Sequence, residues 1–358
     1  MNPGLLSRRL LVVVGAGGVG KTTLAAALGL QSAQRGAATL VMTFDPSLRL
    51  KDALGVGEEA KDQAVPVKAG TRGRLEVALL DAKTTFDRLI RRYAPDAGAA
   101  ERIFSNRFYR DLAGNLAGIL EYMAVERLFE VQSEGQYDRI ILDTPPTRQA
   151  LEFLEAPDRI MNFLDSGAVR LALRPWWEES GGLGRMPMRL AAKAVERLAD
   201  RIVGRRLLRD MVEFFRAFSP LYDGFRDRAQ EVRNLLRAPE TLFTLVAGPG
   251  PDRIPDTLFF ARKLREAGHR LGPIIVNQIH PDALAARREE FTRAGDAFDV
   301  GLDLFAYLGE RDARGLEQLG RLLSHEEPLL AVPLQPVPPT DLTQLAALGQ
   351  IVLSQKPV

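Results

Sequence analysis

Directly after the apolar run Leu10–Val14 stands the stretch Gly15-Ala16-Gly17-Gly18-Val19-Gly20-Lys21-Thr22. Its spacing fits the phosphate-binding loop, in which Gly is followed by four residues and then by Gly-Lys-Thr. The apolar run before it is typical of a buried strand, and Thr22–Leu28 after it is typical of a helix. A glycine-rich turn that binds nothing is the alternative interpretation. We predict that this stretch binds a nucleoside triphosphate.

Each part of the loop has an expected role in binding phosphate. Glycines let successive backbone N–H groups converge on phosphate oxygens, and the N-terminus of the following helix adds partial positive charge. Lys21 would reach the β- and γ-phosphates, and the Thr22 hydroxyl would ligate Mg²⁺. The residues expected to contact the nucleotide are Gly15, Ala16, Gly17, Gly18, Val19, Gly20, Lys21, Thr22 and Thr23.

The composition is typical of a globular enzyme and excludes several other classes. Of 358 residues, 46% are apolar and 26% are charged, and the net charge of +2 gives no reason to expect nucleic-acid binding. Cysteine is absent, which excludes disulfides, thiolate metal sites and cysteine nucleophiles. We find neither a membrane-spanning apolar run nor a signal peptide, and therefore expect a cytoplasmic protein.

Short apolar runs that are rich in branched residues alternate with helical stretches along the chain. We predict buried parallel strands at Leu10–Val14, Thr39–Phe44, Leu75–Leu80, Arg139–Leu142, Thr241–Val246, Pro273–Val276 and Leu329–Leu334. The predicted fold is α/β, a doubly wound and mostly parallel sheet in one domain spanning 1–358. Two connections are far longer than simple crossovers need, so we expect helical insertions at 82–137 and 150–238 that form a subdomain.

Two aspartates end predicted strands at the edge of the sheet where ligands bind. Asp45 follows the second strand, and Asp143 follows Ile140–Leu142. Carboxyl ends of parallel strands meet at one edge, so both carboxylates should lie beside the phosphate loop. We expect Asp143 to hold Mg²⁺ through water. Asp45 would orient or deprotonate the attacking water, and could also ligate Mg²⁺ through water. The alternative for either residue is a helix-capping or turn aspartate.

These motifs together resemble the deviant-Walker ATPases of the arsenite-pump/guided-entry (ArsA/GET) family. The matching segments, besides the loop, are Asp45–Asp52, Asp143–Leu151 and Asn277-Gln278. A weaker match from Ser105–Tyr109 through Glu121–Ala124 resembles the bacterial ArsA-like branch. The resemblance implies a Mg²⁺-dependent ATPase that works as a dimer, with a helical subdomain that moves with nucleotide state. It also implies that Asn277 reads adenine and that the loop beginning at Pro333 packs on the base.

Departures from the family pattern narrow the expected function. Family members usually carry a Lys at the second loop position that reaches the partner's phosphates, and this chain has Ala16. We therefore expect slow hydrolysis by the chain alone, as a homodimer, or faster hydrolysis in a heterodimer with a Lys-bearing paralogue. The family's cysteine zinc site and thiolate binding of arsenite are excluded, so arsenite efflux is not expected. A family Glu after the fifth strand is replaced by Gly248–Pro251.

The second insertion leaves two interpretations open. Apolar residues from Met211 to Phe225 recur at helical spacing, and this face either packs the insertion's own core or binds a hydrophobic client or membrane-associated partner. The first predicted function is therefore an ATPase coupled to such a client. The alternative is a positioning or regulatory ATPase similar to ParA and MinD, which acts through protein–protein contacts. The long insertion favours the client-binding ATPase.

Overall fold

The computed structural model describes residues 4–43, 54–57, 60, 63–94, 96–107, 109, 119–166, 222–280, 296–323 and 327–357. The chain divides into two compact units. Unit 1 comprises Met1–Leu80, Glu130–Leu151 and Leu235–Val358. Unit 2 comprises Asp81–Phe129 and Glu152–Asn234.

Unit 1 contains an eight-stranded sheet. Its strands are β1 (Leu10–Gly15), β2 (Thr39–Thr43), β3 (Val65–Pro66), β4 (Leu75–Leu79), β5 (Arg139–Asp143), β6 (Thr241–Ala247), β7 (Leu271–Ile279) and β8 (Leu329–Pro333). They lie in the order β3-β4-β2-β5-β1-β6-β7-β8, and only β3 runs antiparallel to its neighbour. This arrangement confirms the predicted α/β fold with a mostly parallel sheet.

Burial explains why the strands of the sheet could be predicted from the sequence. Every residue of β1, β2 and β6 is buried, as expected when helices cover both faces of a parallel sheet. All seven predicted strands are confirmed, and β7 is longer than predicted at both ends. The two-residue β3 was not predicted, because so short a strand has no periodicity and Pro66 is tolerated only at a sheet edge.

Four described helices belong wholly to unit 1. They are α1 (Lys21–Gln34), α7 (Ile254–Glu266), α8 (Asp296–Leu322) and α9 (Leu342–Ser354). The main apolar core joins α1 and α9 to one face of the sheet. Asp341 caps α9 by accepting a 2.8 Å hydrogen bond from the Gln344 backbone N–H.

Unit 2 is helical over its described residues. It contains α2 (Ala82–Tyr93) and α3 (Ala97–Ser105), with parts of α4 (Ile119–Glu134), α5 (Thr147–Leu164) and α6 (Tyr222–Arg237). Its own core includes Phe86, Ile103 and Tyr122.

The end of the predicted apolar face from Met211 to Phe225 contributes to this core. Tyr222 and Phe225 are both buried in it. These two side chains therefore pack the unit's interior, whereas Met211–Leu221 lie outside the described residues. None of the helices, so far as their residues are described, combines the length and the apolar character needed to cross a membrane.

Candidate nucleotide-binding site

The predicted phosphate loop joins β1 to α1 at the carboxyl edge of the sheet. Gly20, the N-cap of α1, has a left-handed backbone with φ 89°. A Cβ atom at this position would lie 2.5 Å from Asn277 Nδ2, so both conformation and space require glycine. At Gly15 a Cβ atom would lie 2.1 Å from the Val246 carbonyl oxygen of the adjacent strand. The sequence pattern thus corresponds to a loop whose first and last glycines are needed sterically.

Lys21 is folded back along this loop. Its side chain is buried, and Nζ donates a 2.8 Å hydrogen bond to the carbonyl oxygen of Ala16. The ammonium group therefore lies beside the second residue of the loop.

Thr22 and Asp143 meet beside the loop. Thr22 Oγ1 donates a 2.7 Å hydrogen bond to Asp143 Oδ2, and Thr43 Oγ1 donates a second one of 2.9 Å to the same oxygen. The Asp143 side chain is buried, with 1% of the residue exposed. The hydroxyl of Thr43 was not singled out from the sequence, although Thr43 ends β2 in the way that Asp143 ends β5.

Strand register explains why these three residues converge. β5 lies between β1 and β2, with Asp143 opposite Val13 on one side and Thr43 on the other. Thr144 extends this alignment, because its Oγ1 donates a 2.9 Å hydrogen bond to the Val13 carbonyl oxygen. The end of β5 is therefore fixed to the strand that enters the phosphate loop.

The chemistry of this donor set fits Mg²⁺. A carboxylate and a hydroxyl are hard oxygen ligands, and Mg²⁺ is commonly held by one or two protein oxygens together with substrate phosphates. Across the described ranges, no group of three or more His, Asp and Glu side chains is placed to hold a metal ion. A site shared between Thr22, Asp143 and a nucleotide needs no such group.

Asn277 contacts the loop from the end of β7. Its Nδ2 donates a 2.8 Å hydrogen bond to the Val19 carbonyl oxygen, and the residue is buried. Pro333 ends β8, is exposed, and is paired in register with Ile279 near the end of β7. Asn277 is thus brought to the phosphate loop, whereas Pro333 lies at the end of the neighbouring strand.

Asp45, the predicted catalytic carboxylate, lies outside the described residues, as does the rest of Asp45–Asp52. Its placement beside Asp143 and its role therefore stay predictions. The segment Asp143–Leu151, which also matches the family pattern, is described. It comprises the end of β5 and, from Thr147 onward, the start of α5.

A charged cluster lies at the same edge of the sheet, just beyond β7. Buried Asp312 accepts a 2.7 Å hydrogen bond from His280 Nδ1, and Arg311 donates two, of 2.8 and 3.1 Å, to its other oxygen. Burial raises the pKa of the Asp312 carboxyl, but these hydrogen bonds outweigh it, so the pKa lies below its usual value.

Comparisons with known proteins agree with this geometry. The family model described as anion-transporting ATPase (ArsA_ATPase) matches residues 8–294. A relative from Aquifex aeolicus, named as an arsenical pump-driving ATPase, is 24% identical over 279 residues, which cover 76% of this chain and 64% of the relative.

Two fungal relatives named ATPase GET3 match shorter stretches. The Malassezia globosa protein is 30% identical over 145 residues, or 40% of each chain. The Kluyveromyces lactis protein is 27% identical over 197 residues, which cover 51% of this chain and 55% of the relative. The chain therefore spans less than two thirds of the length of these relatives.

Proposed function

This chain belongs to the anion-transporting ATPase (ArsA) family, and from that premise we propose that it is a Mg²⁺-dependent ATPase. The observation that carries the proposal is the 2.7 Å hydrogen bond between Thr22 and Asp143. It joins the hydroxyl expected to ligate Mg²⁺ to the carboxylate expected to hold the ion through water.

The proposed chemistry depends on positioning and charge neutralisation. The backbone N–H groups of the loop and the Lys21 ammonium bind the β- and γ-phosphates. Thr22 and Asp143 would hold Mg²⁺, which when bound would supply positive charge beside those phosphates. Asp45 accepts a hydrogen bond from the attacking water and orients it toward the terminal phosphorus. Each of these roles follows from the residue types and from the family resemblance.

Phosphate release tests the proposal. We expect the wild-type protein to release phosphate from ATP with Mg²⁺, and to lose this activity with a chelator or in Asp143→Asn. The amide can still accept hydrogen bonds from both hydroxyls, but it lacks the negative charge that the ion requires. Phosphate release by Asp143→Asn at the wild-type rate would remove Asp143 from this role.

We propose that the protein hydrolyses ATP as a dimer. Residue 16 has no charged side chain. If no other cationic residue replaces the missing lysine, the chain alone would be a weak ATPase that a Lys-bearing paralogue stimulates. If another cationic residue of this chain replaces the lysine, a homodimer would hydrolyse ATP without the paralogue. Sedimentation of the pure protein with ATP and with ADP tests for nucleotide-dependent pairing, and assays with and without the paralogue distinguish the two cases.

We propose that unit 2 couples the nucleotide state to a hydrophobic client or a membrane-associated partner, and that this happens in the cytoplasm, where ATP is supplied. What supports this is that unit 2 is compact and, over its described residues, helical, and is separate from the sheet-bearing unit 1. Arsenite is not the proposed cargo, because the chain has no cysteine to bind it.

Binding of a client can be tested with a synthetic peptide. An apolar peptide of about 20 residues in detergent should bind in a nucleotide-dependent manner. Saturable binding to an acidic cytoskeletal or envelope protein instead, with no affinity for the peptide, would favour the ParA/MinD-like alternative.

A further inference from the structure

Residue 16 shares a pocket with an arginine that follows β6. The pocket is lined by Ala16, Gly248 and Arg253, by the polar residues Asp256 and Thr257 of α7, and by apolar residues of β6 and α7. Arg253 ends the short 3-10 turn Pro251–Arg253 that leads into α7. All these residues belong to unit 1. The pocket thus places a cationic side chain next to the first half of the phosphate loop.

The stem of Arg253 runs alongside the loop itself. A Cβ atom on Gly248 would lie 3.6 Å from both Arg253 Cγ and Val19 Cγ1, so the arginine stem and the loop side chain flank the same glycine. Lys21 Nζ donates to the Ala16 carbonyl oxygen at 2.8 Å, which places residue 16 beside the ammonium that serves the β- and γ-phosphates. Arg253 is therefore near the end of the loop that receives the terminal phosphate.

The Arg253 guanidinium is held only weakly by its neighbours. Its Nε lies 3.6 Å from Asp252 Oδ2, beyond hydrogen-bonding distance, and the two side chains are 48% and 71% exposed. Exposed pairs of this kind contribute little free energy. Arg311 at the same edge differs, because its two hydrogen bonds to buried Asp312 fix its direction. Arg253 can turn toward an anion at low cost, and Arg311 cannot.

We propose that Arg253 contacts the terminal phosphate of the bound nucleotide and supplies the positive charge that residue 16 lacks. The inference rests on the proposed ATP-binding function and deepens it. Arginine suits this role, because its planar guanidinium can donate two parallel hydrogen bonds to phosphate oxygens. A contact with the terminal phosphate favours ATP over ADP.

The test compares binding of a non-hydrolysable ATP analogue with binding of ADP, both with Mg²⁺. Arg253→Ala should weaken the analogue about tenfold and change ADP binding by less than about twofold, because only the analogue has the contacted phosphate. Arg253→Lys should bind the analogue with an affinity between those of the wild type and Arg253→Ala. Arg262→Ala is the matched control, since Arg262 lies on α7, is 65% exposed and pairs at 3.7 Å with Glu266. It should bind both nucleotides as the wild type does.

A second variant tests the link to residue 16. Ala16→Lys introduced into Arg253→Ala should restore part of the lost affinity for the analogue in the dimer, because each chain then offers its partner's phosphates the cation that residue 16 lacks. Unchanged analogue binding in Arg253→Ala, equal losses for the analogue and ADP, or no recovery in the double variant would overturn the inference. A wild-type protein that binds neither nucleotide would instead refute the proposed function. Retained ADP binding shows that the variants are folded.

Discussion

Thr22 Oγ1 lies 2.7 Å from Asp143 Oδ2, although 121 positions separate the two residues in the chain. The contact joins the first turn of α1 to the end of β5. It exists because β5 pairs in parallel with β1, which brings the carboxylate to the edge where the loop begins. The sheet therefore brings together the two residues proposed to hold Mg²⁺.

Removing the Thr22 hydroxyl should separate metal-dependent from metal-independent binding. Thr22→Val keeps the shape of the side chain but loses the oxygen, so we expect ATP affinity to fall about tenfold with Mg²⁺ and to change little in chelator. Titrations under both conditions measure the difference. Thr71→Val removes a hydroxyl that donates only to the Gly73 carbonyl oxygen and serves as the control. Equal losses with and without Mg²⁺ would contradict the assignment.

Asp45→Asn should uncouple binding from turnover. The amide keeps the size of the side chain but is a much weaker base, so the attacking water loses its acceptor while the phosphate contacts of the loop remain. We expect Mg²⁺-ATP to bind with near wild-type affinity and phosphate release to fall by about a hundredfold or more. Normal hydrolysis by Asp45→Asn would exclude it from the catalytic role.

Asn277 should determine the preference for adenine. Its amide donates to the Val19 carbonyl oxygen, so it lies against the loop from the end of β7. Asn277→Ala removes both this contact and the predicted base contact, and we expect weaker ATP binding with a reduced ratio of ATP to GTP affinity. Competition between ATP and GTP for the wild-type and variant proteins measures the ratio. A wild-type protein that binds GTP more tightly than ATP would contradict the prediction.

Asp312 should contribute stability that depends on pH. Its carboxyl pKa is lowered in the folded protein, because hydrogen bonds from His280 and Arg311 outweigh the effect of burial. A lowered folded-state pKa stabilises the fold above the unfolded pKa, and this contribution disappears as pH falls through the folded value. Asp312→Asn should therefore lower the urea midpoint at pH 7 and pH 5, with the difference from wild type narrowing toward pH 3. A difference that does not depend on pH would contradict this account.

The sheet was largely predictable because its strands are buried on both faces. In a chain that alternates strands with helices, continuous apolar runs such as Leu10–Val14 and Thr241–Val246 are typical of buried parallel strands. β7 extends past its predicted end because polar Asn277 and Gln278 interrupt the apolar run while the backbone continues to pair. The family resemblance rested on ordered motifs around these strands, and it is confirmed by the family match over residues 8–294.

The site residues that could not be predicted from the sequence are recognised by their neighbours in the folded chain. A threonine at a strand end is common, so the contact of Thr43 with Asp143 could be expected only once β2 was known to lie beside β5. Arg253 follows a glycine- and proline-rich turn that gives no local signal of function. Its position beside Ala16 follows from the pairing of β6 with β1.

Calorimetric titration of Mg²⁺-ATP into the wild-type protein and Lys21→Ala tests the central claim most directly. Lys263→Ala, which removes an exposed lysine paired with Glu266 at 3.0 Å, is the control. The account predicts saturable binding by the wild type and by Lys263→Ala. It predicts no measurable binding by Lys21→Ala, because the buried ammonium beside Ala16 is the main phosphate-directed charge of the loop. Binding of ATP by Lys21→Ala with wild-type affinity would show that the nucleotide does not occupy this loop.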